Sequence, residues 1–129
     1  MLPARSWHAL IAGADKHFGE SLSLQPEAAR ELEAYLTANA ADRSDMRGSK
    51  VILYRLDDDK TPTRITALPV MRQRHVVVTK LMGAPVHSIG VKTLTNCDSC
   101  HERAATGSFA YKEIVVPGVS KVVTPGSVF

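Results

Sequence analysis

Apolar positions recur at steps of three and four along residues 6–18, where Trp7, Leu10, Ile11, Ala14 and Phe18 fall on one side. That spacing predicts an amphipathic helix. Ser6 is placed to cap its start and Gly19 to stop it. A second helix is predicted over 26–41. Pro26 suits a first turn, Glu27 favours the positive end of the helix dipole, and Ala28, Leu32, Tyr35, Leu36 and Asn39 mark a face. The two segments read as a helical hairpin over about 6–41, joined by "GESLSLQ". Residues 42–68 read as a polar connector holding one short apolar patch, "VILYRL", with at most a helical turn or a short strand. The segment from Pro69 to Met82 carries two signals. Met71, His75, Val78 and Met82 share a helical face, whereas Val76-Val77-Val78-Thr79 is a β-branched run. Pro69 at the start tips the reading to helix. "GAPVHSIG" is loop, residues 94–106 read as a short helix ended by Gly107, and the Pro/Gly-rich tail 108–129 reads as extended chain. The expectation is one mainly α domain over 1–129, a small multi-helix domain with irregular loops.

Both cysteines of the chain lie in "NCDSCHERA", as Cys97-Asp98-Ser99-Cys100-His101. Two thiols three positions apart on one turn can add to the two vinyl groups of a haem, and the next residue brings an imidazole under the iron. This is the attachment motif of c-type haem. The segment 69–107 is then the haem-attachment segment. Composition agrees with that reading. Of 129 residues 44% are hydrophobic but only 5% aromatic, so the core stock is thin, and haem is itself a large flat apolar body.

Other uses of C-x-x-C stay open. A thioredoxin-like redox pair places the motif early, after a strand and at the head of a long helix; here ninety-six residues precede Cys97 and no strand leads in. A zinc site wants a second Cys or His pair at matching spacing, and a structural disulfide across two residues would be strained. A haem protein with an open iron site, for gas binding or catalysis, is a further alternative.

If His101 takes one side of the iron, the other falls to His8, His17, His75, His87 or a methionine among Met1, Met46, Met71 and Met82. His8, beside Trp7 on a helix, reads as a surface or satisfied core residue rather than a ligand. His75 lies on the apolar face of its helix, twenty-six positions before His101 with a loop between, and is the expected sixth ligand, with Met71, Met82 and His87 as alternatives. Two histidines favour a lower potential than His/Met ligation and close the iron to outside ligands. That argues for an electron carrier rather than an enzyme. His17, at the end of the first predicted helix, reads from its surroundings as a capping residue.

Net charge is +3, with acidic and basic residues alternating along most of the chain. That is a solvated surface rather than a nucleic-acid stripe. Arg72, Arg74 and Lys80 can line a docking face for a redox partner. No apolar run approaches the roughly 20 residues of a membrane span, and no signal peptide is legible after Met1.

The segments "LPARSWHALIAGADKHFGE", "LEAYLTANAADRSD", "RITALPVMRQRH" and "NCDSCHERAATGSF" together resemble the dihaem cytochrome c family of small bacterial periplasmic electron carriers. The resemblance implies two haems, each attached by its own C-x-x-C-H and each held by two histidines. It assigns His75 to the haem of Cys97 and Cys100, and His17 to a second, upstream haem. It also implies other redox proteins as partners, such as a membrane cytochrome or a small haem protein. The second attachment motif would lie just before "LPARSW", where this sequence has Met1. The expectation is an N-terminally shortened chain with its signal peptide and first attachment motif upstream. A one-haem form in which His17 is a relic is the alternative.

Overall fold

The computed structural model describes residues 1–81 and 95–117, with side chains at 1–76 and 95–117. Met82, His87 and the end of the tail lie outside the described residues. The chain is mainly α, as expected. Its described helices are α1 (Ala4–Ala12), α2 (Pro26–Ala38), α3 (Arg47–Leu53) and α4 (Pro69–Leu81), linked by short 3-10 turns. Two compact units are present, residues 1–73 and 74–129, and they are taken in turn.

In the first unit, α1 starts two residues before the expected Ser6 cap. Pro3 stands at the N-cap position and offers no side-chain cap. The missing acceptor comes from far along the chain: the Ala4 N–H donates to Asp42 Oδ1 at 2.9 Å. This long-range cap pulls the start back to Ala4, and Ser6 becomes a fully buried helix residue. The helix also stops early, at Gly13. A 3-10 turn, Ala14–Lys16, follows in place of the continuous helix to Phe18.

α2 packs on α1, but its face is rotated from the predicted one. Leu32 and Tyr35 are exposed, and Ala28 and Asn39 face solvent as well. The covered residues are Ala29, Glu33, Leu36 and Thr37. Two polar contacts explain the rotation. Glu33 reaches His8 of α1, Oε1 to Nδ1 at 2.6 Å. The Thr37 hydroxyl donates back to the Glu33 carbonyl at 2.7 Å, so its burial leaves no unmet donor. His8 is thus a surface residue bridging two helices, as its sequence context suggested.

The connector is more ordered than its composition implied. It forms α3, and Val51, Ile52 and Leu56 of the "VILYRL" patch pack with Trp7, Leu10 and Met71 around a core of Leu2, Leu68 and Val70. The acidic loop after it is tied down by Arg5, whose guanidinium donates to the Lys60 and Asp57 carbonyls at 2.7 and 3.2 Å.

α4 forms as read, so packing and Pro69 override the β-branched run. Its later turns open the second unit. There the expected helix over 94–106 is absent. Two separate 3-10 turns take its place, Cys97–Ser99 and Ala104–Thr106. The reason is a returning segment: the Val115 N–H donates to the Cys100 carbonyl at 2.8 Å and Ile114 bridges to His101. A carbonyl committed to that partner cannot serve a helical ladder. Gly107 does end the segment, with φ 78° in the left-handed region that glycine adopts without strain.

Candidate functional site

The turn at 97–101 builds the site. The Cys100 and His101 N–H groups both donate to the Cys97 carbonyl, at 3.3 and 2.8 Å. One turn therefore carries both sulfurs and delivers the imidazole directly after them. Both cysteines are free thiols and half-buried. Cys97 Sγ lies 3.6 Å from the Thr95 carbonyl. Burial pushes the Cys100 thiol up, toward its protonated form.

His101 is half-buried. Burial first, and the charge of His75 second, hold its imidazole below the usual histidine range. Both effects favour the neutral ring, the form that ligates a metal. The charge of His75 is thus felt at His101, although twenty-five residues separate them in sequence. His101 Nδ1 is buried and has no hydrogen-bond partner among the described residues. With Nδ1 enclosed, Nε2 is the nitrogen the ring can offer to a metal. The Phe109 ring meets the His101 ring edge-on, centroids 5.2 Å apart and planes at 61°.

His17 belongs to the first unit. It ends the 3-10 turn after α1, half-buried, on a sharp reversal in which Phe18 and Gly19 both take positive φ, 52° and 100°. The Glu20 N–H closes the reversal on the His17 carbonyl at 3.0 Å. A left-handed phenylalanine is strained. The Arg64 guanidinium, 3.8 Å above the Phe18 ring, helps hold it there.

The alternative ligands fare unevenly. Met71 is committed to the first unit's core, and Met1 and Met46 are exposed. No group of three or more His, Cys, Asp or Glu is placed to hold a bare ion among the described residues. Sequence reading missed Phe109 and Glu113. Phe109 had a faint signal, an aromatic just past the Gly107 stop. Glu113 had none, since its partners are set by the fold.

Two free thiols on one turn, an adjoining imidazole held neutral and a second imidazole nearby suit a covalently attached haem. Apolar packing agrees with that. Among the described residues of the second unit, Val116 is the one buried hydrophobic side chain. The dihaem cytochrome c family model matches residues 1–109. The chain belongs to the dihaem cytochrome c family. Its members are c-type cytochromes, haem-iron proteins of electron transport. Among solved structures, the diheme cytochrome c from Rhodobacter sphaeroides is 37% identical, with a TM-score of 0.68 over 84% of this chain and 81% of that one. The diheme cytochrome type c from Shewanella baltica OS155 is 25% identical, with a TM-score of 0.65 over 94% and 81%. No curated protein matches the chain. No helix among the described residues is long and apolar enough to cross a membrane.

Proposed function

We propose that this chain is an electron carrier, not an enzyme, with one haem c attached at Cys97 and Cys100 and held axially by His101 and His75. The observation that carries the reading is the single turn that holds two free thiols and delivers the His101 imidazole directly after them. Each thiol would add across a vinyl group: the sulfur forms a C–S bond and the hydrogen ends on the neighbouring carbon. That chemistry needs reduced cysteines and leaves them no further redox role. When bound, haem supplies a one-electron ferric/ferrous couple.

The remaining work belongs to the polypeptide. The 97–101 turn sets the two sulfurs and one imidazole at fixed spacing. α4 brings the second imidazole. Two histidine ligands leave no position for a substrate or a gas, which is the argument against catalysis at the metal. His17 is the candidate ligand of a second haem, of which the family's name implies a pair. Haem attachment of this type takes place outside the cytoplasm, so the periplasm is the proposed location. The partners are other redox proteins, a membrane cytochrome or a small haem protein.

A thiol–disulfide role for Cys97 and Cys100 is disfavoured by the local frame: the motif opens a three-residue 3-10 turn, Cys97–Ser99, rather than the long helix that a thioredoxin-like pair heads. The deciding experiment is pyridine haemochrome analysis of denatured protein from a host competent in cytochrome maturation. The expected result is one covalent haem per chain, and a colourless polypeptide at its bare mass would end the reading. His75→Ala should convert that haem from low to high spin and admit carbon monoxide. An unchanged low-spin spectrum would move the sixth ligand to Met82 or His87.

A further inference from the structure

A metal-bound histidine almost always donates its second ring N–H to a carbonyl, a carboxylate or water, and that bond sets the ring plane. His101 has no such bond among the described residues: Nδ1 is buried and unpartnered. The group against the ring is Phe109, edge-on at 5.2 Å. Phe109 is itself 54% exposed, so little apolar burial explains its position.

Its position is explained by a closed loop. The chain leaves His101, makes the Ala104–Thr106 turn, reverses at Gly107 and returns through Glu113 to the bridge with His101. Glu113 fastens both arms. One carboxylate oxygen accepts from the Ser108 hydroxyl and the other from Arg103 Nη1 at 3.2 Å. The Ser108 N–H adds a bond to the Arg103 carbonyl at 3.2 Å. Ser108 immediately precedes Phe109, so the carboxylate fixes the base from which that ring projects. We propose that Phe109, braced by Glu113 through Ser108 and Arg103, is a positioning residue that sets the plane of the His101 imidazole.

The inference rests on the proposed ligation by His101 and deepens it. Its test is low-temperature EPR of the ferric holoprotein, since the g values of a bis-imidazole haem follow the mutual orientation of the ring planes. Phe109→Leu removes the edge contact and should shift the largest g value. Phe109→Tyr keeps the ring and should leave it in place. Ser108→Ala and Glu113→Gln loosen the brace and should produce smaller shifts in the Phe109→Leu direction. These two keep the test open if Phe109→Leu fails to mature. Unchanged g values in the haem-loaded Leu or brace variants, or equal shifts in Leu and Tyr, would overturn the inference and leave the haem assignment standing. A wild-type chain without covalent haem would overturn both.

Discussion

The two units of this chain are stabilised by different means. The first has a core of its own: Leu68 and Ala40 are fully buried, and Leu2, Ala41 and Val70 nearly so. The described part of the second has Val116 and otherwise hydrogen bonds, a backbone bridge and one carboxylate-fastened loop. Net contributions of single hydrogen bonds are about 1 kcal/mol, and ordering a residue costs about 1–2 kcal/mol. Such bonds alone do not hold some thirty residues in place. On the proposed reading a haem completes the second unit, whereas the first folds around side chains.

The sharpest way to break the comparison is to deny the second unit its haem. In Cys97→Ser/Cys100→Ser, covalent haem is expected to be lost entirely. Limited proteolysis should then cut residues 74–117 first, while the helical circular dichroism of the first unit persists. Equal cleavage of both units would show that haem is not what separates them.

The converse experiment empties the first core. Leu68→Ala should cost about 2–5 kcal/mol, as buried leucine truncations do, read from urea unfolding followed by the Trp7 fluorescence. The haem absorption spectrum should stay unchanged. A smaller loss, of about 1 kcal/mol, is expected for Asp42→Ala, which removes the long-range cap on α1. A similar loss from Ser6→Ala, and none from Asp42→Ala, would restore the cap to the position the spacing suggested.

The candidate site could be proposed from sequence because its chemistry is local. Cys97, Cys100 and His101 lie within five residues, and any backbone turn there brings them together. His75 entered the proposal through helical periodicity, and α4 formed despite its valines. The Ser6 cap, the α2 face and the 94–106 helix were misread for one shared reason. Each was decided by a group distant in sequence: Asp42 for α1, His8 for α2, and Val115 with Ile114 for the 97–101 turn. Local spacing contains no record of such partners.

The smallest expected effect is on pH dependence. The Ser108 hydroxyl first, and the Arg103 guanidinium with it, hold Glu113 below its ordinary value of 4.5. Folding lowers this pKa, so the unfolded chain binds more protons as acid is added. The contribution of Glu113 is therefore complete above 4.5 and lost as pH falls through the lower folded value. Glu113→Gln should flatten the acid limb of the urea midpoint below pH 4.5. An acid limb as steep as the wild type would remove Glu113 from the account.

By itself the sequence determined the class of chemistry and the class of fold. Thiols at that spacing with an imidazole next to them can do few things, and periodic apolar residues between Pro and Gly punctuation make helices. Only the tertiary structure decided which helix faces are buried, what caps α1 and what packs against the His101 ring. Those outcomes depend on pairs of groups up to 55 residues apart, as Arg5 and Lys60 are. Their meeting is favoured by the packing of the whole chain rather than by the residues that flank them.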